Sequence, residues 1–176
     1  MKLALAAVAA ACLMGTAAQA QDYAFEWTPA GTLTPTPPAP MFLMLAGASD
    51  VYEIESSRLV LQTTRNAEVR AFAEMMVEHH TKTTEDAAAA AVRAGLTPPM
   101  PTLDAPKRAM LAGLARFEGV ERDRLYLTQQ TMAHQEALGV MKTYADMGDT
   151  PELRAAAQAT IPIIQRHLAM IERMTR

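Results

Sequence analysis

Cysteine is nearly missing from this chain: its 176 residues hold a single one, Cys12, inside an apolar leader. Downstream of that leader there is no thiol, so a disulfide framework and thiolate metal ligation are both excluded, and any metal must be held by His, Glu, Asp or Met. Long hydrophobic runs are also missing. The longest apolar stretch, Leu3 to Gly15, is shorter than the roughly 20 residues that cross a bilayer, and no later segment approaches it. Neither sign of charge is in excess, with 16 basic and 19 acidic residues. Losing Lys2 with the leader leaves 15 against 19, a net of −4, with the signs mixed along the chain. That pattern argues against nucleic acid and against an anionic membrane surface as partners. Strand-like alternation of useful length and internal repeats are absent. So are a Ser/His/Asp order, a phosphate-binding glycine loop and a nucleophilic cysteine, which leaves no catalytic residue to name and weighs against an enzyme.

What is present begins with export. Met1-Lys2, the apolar Leu3–Gly15 stretch and Ala18-Gln19-Ala20 before polar Gln21-Asp22 read as a signal peptide over residues 1–20. Cleavage near Ala20 implies a periplasmic or secreted protein. The Ala9-Ala10-Ala11 before Cys12 lacks the leucine of a lipoprotein signal, so lipidation is not expected. The remaining 156 residues suffice for one domain with a real core. Residues 21–40 form a tail in which Pro29, Pro35, Pro37, Pro38 and Pro40 favour an extended linker. Tyr23, Phe25 and Trp27 within it read first as packing against the domain. Their second reading is a docking motif for a protein partner or another copy.

Residues 41–176 read as helical. Helix A is expected over about Met41–Thr64, with Arg65-Asn66-Ala67 as a short connection. In helix B, Val69, Phe72, Ala73, Met76, His80, Ala87 and Ala91 recur at three- and four-residue steps up to a C-cap at Gly95. Thr97–Pro101 forbids continuation, and Thr102–Phe117 holds a short extra helix. Helix C runs from Glu118-Gly119 to Met147-Gly148 with Leu127, Thr131, His134, Leu138 and Met141 on one stripe. Asp149 or Thr150 caps helix D, Pro151 takes its first position, and Ile163, Ile164, His167, Ile171 and Met174 form its buried stripe. Pro162 is expected to bend that helix. Short A–B and C–D turns with a long B–C connection specify an all-α, up-down-up-down four-helix bundle, with an extra helix in the B–C connection and an extended N-terminal tail.

Glu53, His80, His134 and His167 fall one on each long helix. They lie 13 and 14 residues from Asn66, and 14 and 19 from Gly148, respectively. At about 1.5 Å per residue the depths are about 20, 21, 21 and 28 Å, and the lean of side chains toward helix N-termini narrows the last gap. These four are the candidate ligands of one Zn or Cu ion. Burying three imidazoles without a partner costs about 1–3 kcal/mol for each unsatisfied group. The alternative is a metal-free, hydrogen-bonded core in a structural or stress-related interaction module, with Glu53 holding one imidazole tautomer. Weak periodicity in helix A leaves Glu55 as a rival to Glu53. His79 is expected at the core edge or surface, and Asp123 in a salt bridge with Arg122, Arg124 or the B–C segment. Met76, Met141, Met170 and Met174 share the register; they read first as core filler and second as thioether ligands suited to Cu(I). The residues three before the histidines are Met76, Val77, Thr131 and Ile164, so the Glu-x-x-His pairs of a di-iron bundle are missing.

Several of these stretches resemble one family. Glu53-Ile54, Ala67–Ala73 running into Met76–Lys82, Asp123–Leu127 leading to His134, and Ile161–Leu168 are similar to the secreted bacterial, ferritin-like family catalogued as domain of unknown function 4142. The resemblance covers about Phe42 to Met174. It implies the bundle fold and recurrent polar positions at Glu53, His80, Asp123, His134 and His167, and implies no activity. The family usually carries aspartate where this chain has His79 and an aromatic residue where it has Arg122.

Overall fold

The computed structural model describes residues 36–176. The expected signal peptide, Cys12, the aromatic residues Tyr23, Phe25 and Trp27, and most of the proline-rich tail lie outside the described residues. Within them are five helices and no strand: α1 (Ala39–Leu61), α2 (Ala67–Arg93), α3 (Ala105–Leu114), α4 (Gly119–Met147) and α5 (Pro151–Met174). None is long and apolar enough to cross a membrane.

Local chemistry sets the helix ends. Helix α1 starts at Ala39, two residues ahead of the expected Met41, because Pro40 is accommodated in the first turn, where a missing N–H costs nothing. Asn66 caps α2, its side-chain oxygen accepting from the N–H groups of Glu68 (2.9 Å) and Val69 (3.3 Å). The other end closes on Gly95 at φ +74°, with Gly95 N–H donating to Val92 O and Leu96 N–H to Ala91 O, the paired bonds of a Schellman stop. Asp104 caps α3 through the Lys107 N–H at 2.8 Å. At the turn between α4 and α5 the expected cap is displaced. Thr150 precedes α5 without a side-chain cap bond, and Asp149 reaches across to accept from the Ala39 N–H at 3.2 Å, capping α1 instead. Its other oxygen accepts from the Tyr144 hydroxyl at 2.7 Å. Helix α5 runs uninterrupted through Pro162, which is exposed.

Each long helix packs against two others: α1 against α2 and α4, and α5 against α4 and α2. The start of α1 meets the end of α4, where Phe42 stacks on Tyr144 with ring centroids 3.8 Å apart. Its far end meets the start of α4, where Arg122 donates to the Leu59 carbonyl. Helix α3 lies over α1 and α4, covering the outward side of α1, so that helix has few exposed positions and hence a weak amphipathic period. Lys107 anchors α3 there, buried between Asp104 (3.1 Å) and Glu136 of α4 (3.0 Å).

The core has two apolar parts. One gathers Phe42, Leu43, Met141, Tyr144, Leu153 and Ile164. The other gathers Val60, Phe72, Met76, Leu114, Tyr126 and Ile171. Each fully buried Leu, Ile, Phe or Met contributes about 1.5–3 kcal/mol of apolar transfer. Between the two parts, in chain order along every long helix, lies a layer of polar residues.

Candidate metal centre

That layer draws on all four long helices. Asp50 and Glu53 stand one turn apart on α1, His80 comes from α2, His134 from α4 and His167 from α5. The relative exposures of Glu53, His80, His134 and His167 are 1%, 3%, 0% and 1%, so none is open to bulk solvent. His167 had the largest count from the turn, yet its ring centroid is 5.2 Å from that of His134 and 5.3 Å from that of His80. Two residues of its count, Asp149 and Thr150, belong to the turn before α5, and the opposed leans of side chains on α4 and α5 close much of the remainder.

Hydrogen-bond partners fix the ring orientations. His134 Nδ1 is 2.8 Å from the Gln130 carbonyl, which can only accept, so Nδ1 carries the proton and Nε2 offers a lone pair. His134 Nε2 then accepts from His167 Nδ1 at 3.0 Å, and His167 Nε2 faces His79 Nδ1 at 2.8 Å. His80 turns Nδ1 toward two carboxylates, Asp50 Oδ1 at 2.8 Å and Glu53 Oε2 at 2.9 Å. Its N–H is directed at Asp50, just as that of His134, 3.3 Å from Glu53 Oε1, is directed at Gln130. Both Glu53 oxygens and His80 Nε2 are therefore buried without a hydrogen-bond partner among the described residues. Such orphans cost about 1–3 kcal/mol each, and more where the group is charged.

The charges are coupled. Burial works against ionising Glu53, but the positive potential of His80 and then His134 outweighs it and holds the carboxyl down to about 2. Burial likewise opposes a charged His80, and the Glu53 charge together with the Asp50 hydrogen bond lifts it to about 10. Burial pushes Asp50 up against the opposing pull of His80. His134 is pushed down by burial, and His167 by burial and the neighbouring His80 charge, the latter to about 3. Without a metal the layer is a His80 imidazolium beside a Glu53 carboxylate, with His134 and His167 neutral.

Two overlapping groups have the spacing that could hold a metal ion: His80, His134 and His167, and Asp50, Glu53 and His80. In each, one ligand atom per residue lies within 4.8 Å of the others. Ligands at about 2.0–2.2 Å from one ion stand about 3–3.5 Å apart, so modest side-chain shifts would close either group around an ion.

The structure places Glu53, His80, His134 and His167 in one layer, with the three histidines in one metal-spaced group and Glu53 in the other, and sets their rivals apart. Glu55 is partly exposed and pairs with Arg58 at 2.7 Å. Asp123 makes no salt bridge among the described residues. It faces the α1–α2 turn, where one oxygen accepts from the Thr64 hydroxyl at 2.8 Å, while the neighbouring Arg122 is engaged by Leu59 and Phe117 carbonyls and Thr63. His79 is half-buried, at the expected core edge, but it joins the layer through His167. Met76 and Met141 fill the apolar clusters, with Met170 and Met174 packed against one of them. Asp50 escaped the sequence reading altogether. Its signal was its position one turn before Glu53 on the same face, hidden by the weak period of α1. Behind the layer, Ser57 bridges the Glu53 carbonyl (2.6 Å) and the Tyr126 hydroxyl (2.7 Å), and Gln130 donates to Ser56 at 2.8 Å, fixing α1 against α4.

Among known proteins, the sequence profile described as "Domain of unknown function (DUF4142)" matches residues 26–174. No curated protein matches the chain. Two solved structures share its fold. A DUF305 fragment from Deinococcus radiodurans has a TM-score of 0.67 at 18% identity, over 78% of this chain and 97% of that one. A DUF305 protein from Streptomyces coelicolor, described as a candidate secreted protein, has a TM-score of 0.60 at 17% identity, over 78% and 91%.

Proposed function

The chain belongs to the DUF4142 family, and we propose that it is an exported metal-binding bundle holding a single transition-metal ion, Zn or Cu, through Glu53, His80, His134 and His167. In this reading residues 1–20 are a signal peptide, 21–40 a linker, and the domain is a ferritin-like, up-down-up-down four-helix bundle in the periplasm or outside the cell. The observation that carries it is the orphaned His80 Nε2, buried in one group with nitrogens of His134 and His167. The Nδ1 protons of His80 and His134 are turned to Asp50 and the Gln130 carbonyl, which leaves their Nε2 lone pairs for an ion, and His167 would join them by moving its proton from Nδ1 to Nε2, toward His79. Glu53, free of donors, supplies the carboxylate. Elemental analysis of the mature protein after exposure to Zn, Cu and Fe is expected to find stoichiometric metal, lost in the His80/His134/His167→Ala triple variant. Absence of stoichiometric metal overturns the proposal.

A second reading is favoured by the ring spacings, since 2.8 and 3.0 Å are hydrogen-bond lengths that join His79, His167 and His134 without an ion. The protein would then be a non-catalytic structural or stress-related interaction module, meeting a partner or a second copy through its surface or the Tyr23–Trp27 tail. On that reading the histidine variants lose stability and added metal leaves the melting temperature unchanged.

A further inference from the structure

The long helices form two pairs, α1 with α2 and α4 with α5, each tied by a short turn, and the pairs meet along two seams. The α1–α4 seam is locked. Tyr52 donates to Gln129 (2.9 Å), Gln130 to Ser56 (2.8 Å) and Arg122 to the Leu59 carbonyl (3.0 Å), Ser57 and Tyr126 share a bond of 2.7 Å, and α3 lies over the outside. The α2–α5 seam differs. Among the described residues one side-chain hydrogen bond crosses it, from His79 Nδ1 to His167 Nε2 at 2.8 Å, with the two rings stacked at 5.1 Å between centroids.

The Gln130 carbonyl sets the direction of a chain of rings that ends at this seam. It accepts from His134 Nδ1, so His134 Nε2 accepts from His167 Nδ1, and His167 Nε2 accepts from His79 Nδ1. A lone pair is thereby left on His79 Nε2. That atom has no partner among the described residues and, unlike His80 Nε2, is not sealed from solvent, for the residue is only half-buried. A single ring thus offers a metal-ligating nitrogen outside and touches a candidate ligand ring inside.

We infer that His79 is the receiving ligand of this centre: its Nε2 takes the ion from solvent at the α2–α5 seam and passes it to His167 when the seam parts. The inference rests on the metal-binding reading above and adds a residue outside the expected ligand set. Parting this seam breaks one side-chain bond, the one that holds His79 itself. The freed ring carries its ion toward His167, and each transfer forms one metal–nitrogen bond as another metal–ligand bond breaks, so the oxidation state is unchanged. Once the ion is inside, His79 closes on His167 again and holds no ion.

Stopped-flow mixing of the metal-free, mature full-length protein with Zn²⁺ carried on a fluorescent indicator tests it, at concentrations where the loading rate is still proportional to Zn²⁺. His79→Gln keeps an N–H for His167 and removes the imidazole. Loading of this variant is expected to slow about tenfold or more, because an ion no longer captured at the seam meets the inner ligands from bulk solution rather than at a raised effective concentration. Stripping slows by the same factor. Stoichiometry and equilibrium affinity stay at their wild-type values, since a ligand used in transit changes both directions alike. His79→Ala separates this role from that of a latch, and it carries the test should His79→Gln misfold: losing a latch speeds loading, whereas losing a receiving ligand slows it. A wild-type rate in His79→Gln, faster loading in His79→Ala, or an affinity that falls with the rate overturns the inference and leaves the metal-binding reading standing. Failure of the wild-type protein to take up Zn²⁺, or Cu²⁺ in its place, overturns both.

Discussion

Among the described residues His80 is the one imidazole in contact with both Asp50 and Glu53, so its removal differs in kind from removal of the other histidines. In the metal-free protein, His80→Ala strands Asp50 and Glu53 without a positive partner and is expected to cost about 3–5 kcal/mol. His134→Ala loses hydrogen bonds between neutral groups and packing, about 1–3 kcal/mol. Urea unfolding of the two variants with chelator present measures the difference, and equal losses would refute the charge assignment. At this scale the sequence revealed the residues that a count of helical depth can reach. Glu53, His80, His134 and His167 were legible because each sits at a similar distance from a turn. His79 was not, because its link to His167 depends on how closely α2 and α5 approach, which no period within α2 encodes. Asp50 was hidden by α3, whose cover over α1 removes the polar side that would have marked the buried one.

Helix ends were legible where a single residue type was read as the signal: Gly95 after α2 and Pro151 at the first position of α5. The exception is Asp149, whose partner Ala39 lies 110 residues away, beyond the reach of any local capping rule. Asp149→Ala therefore acts on α1 as well as on its own turn. Loss of the cap and of the Tyr144 bond is expected to cost about 1–2 kcal/mol, readable as a lowered thermal midpoint. Hydrogen exchange should rise in the first turn of α1, far from the substitution in sequence; protection unchanged there would mean the cap contributes nothing. One residue earlier, Gly148 has no room for a side chain, since an added Cβ would lie 2.6 Å from the Tyr144 carbonyl oxygen and ring. Gly148→Ala is expected to destabilise by about 1–3 kcal/mol through forced movement of Tyr144 and the Phe42 stacked on it.

The whole molecule should show a two-sided pH dependence when metal-free. His167, lowered from its usual 6.5 to about 3, favours the folded state at neutral pH, and that contribution drains away as pH falls from about 6.5 toward 3. Glu53, lowered from 4.5 to about 2, adds a further loss between those values. His80 acts in the opposite direction: raised from 6.5 to about 10, it stabilises fully below 6.5 and loses that contribution as pH climbs toward 10. Stability is expected to peak near pH 6–7, and a series of urea midpoints from pH 4 to 10 checks it. An alkaline limb as steep in His80→Ala as in wild type would contradict the assignment. Metal uptake should release protons, because ligation needs His80 neutral. Stoichiometric loading in weakly buffered solution at pH 7 is expected to acidify it by about one proton per ion.

The polar layer is sealed by the bundle that forms it, with none of Glu53, His80, His134 and His167 more than 3% exposed. For an ion held there, separation of packed helices would be the exit, and its residence time would be governed by how often the bundle opens rather than by bond strength alone. A chelator added to the loaded protein would wait on that opening. Its stripping rate should level off with chelator concentration and speed up with sub-denaturing urea, the behaviour of a lock whose key is conformational.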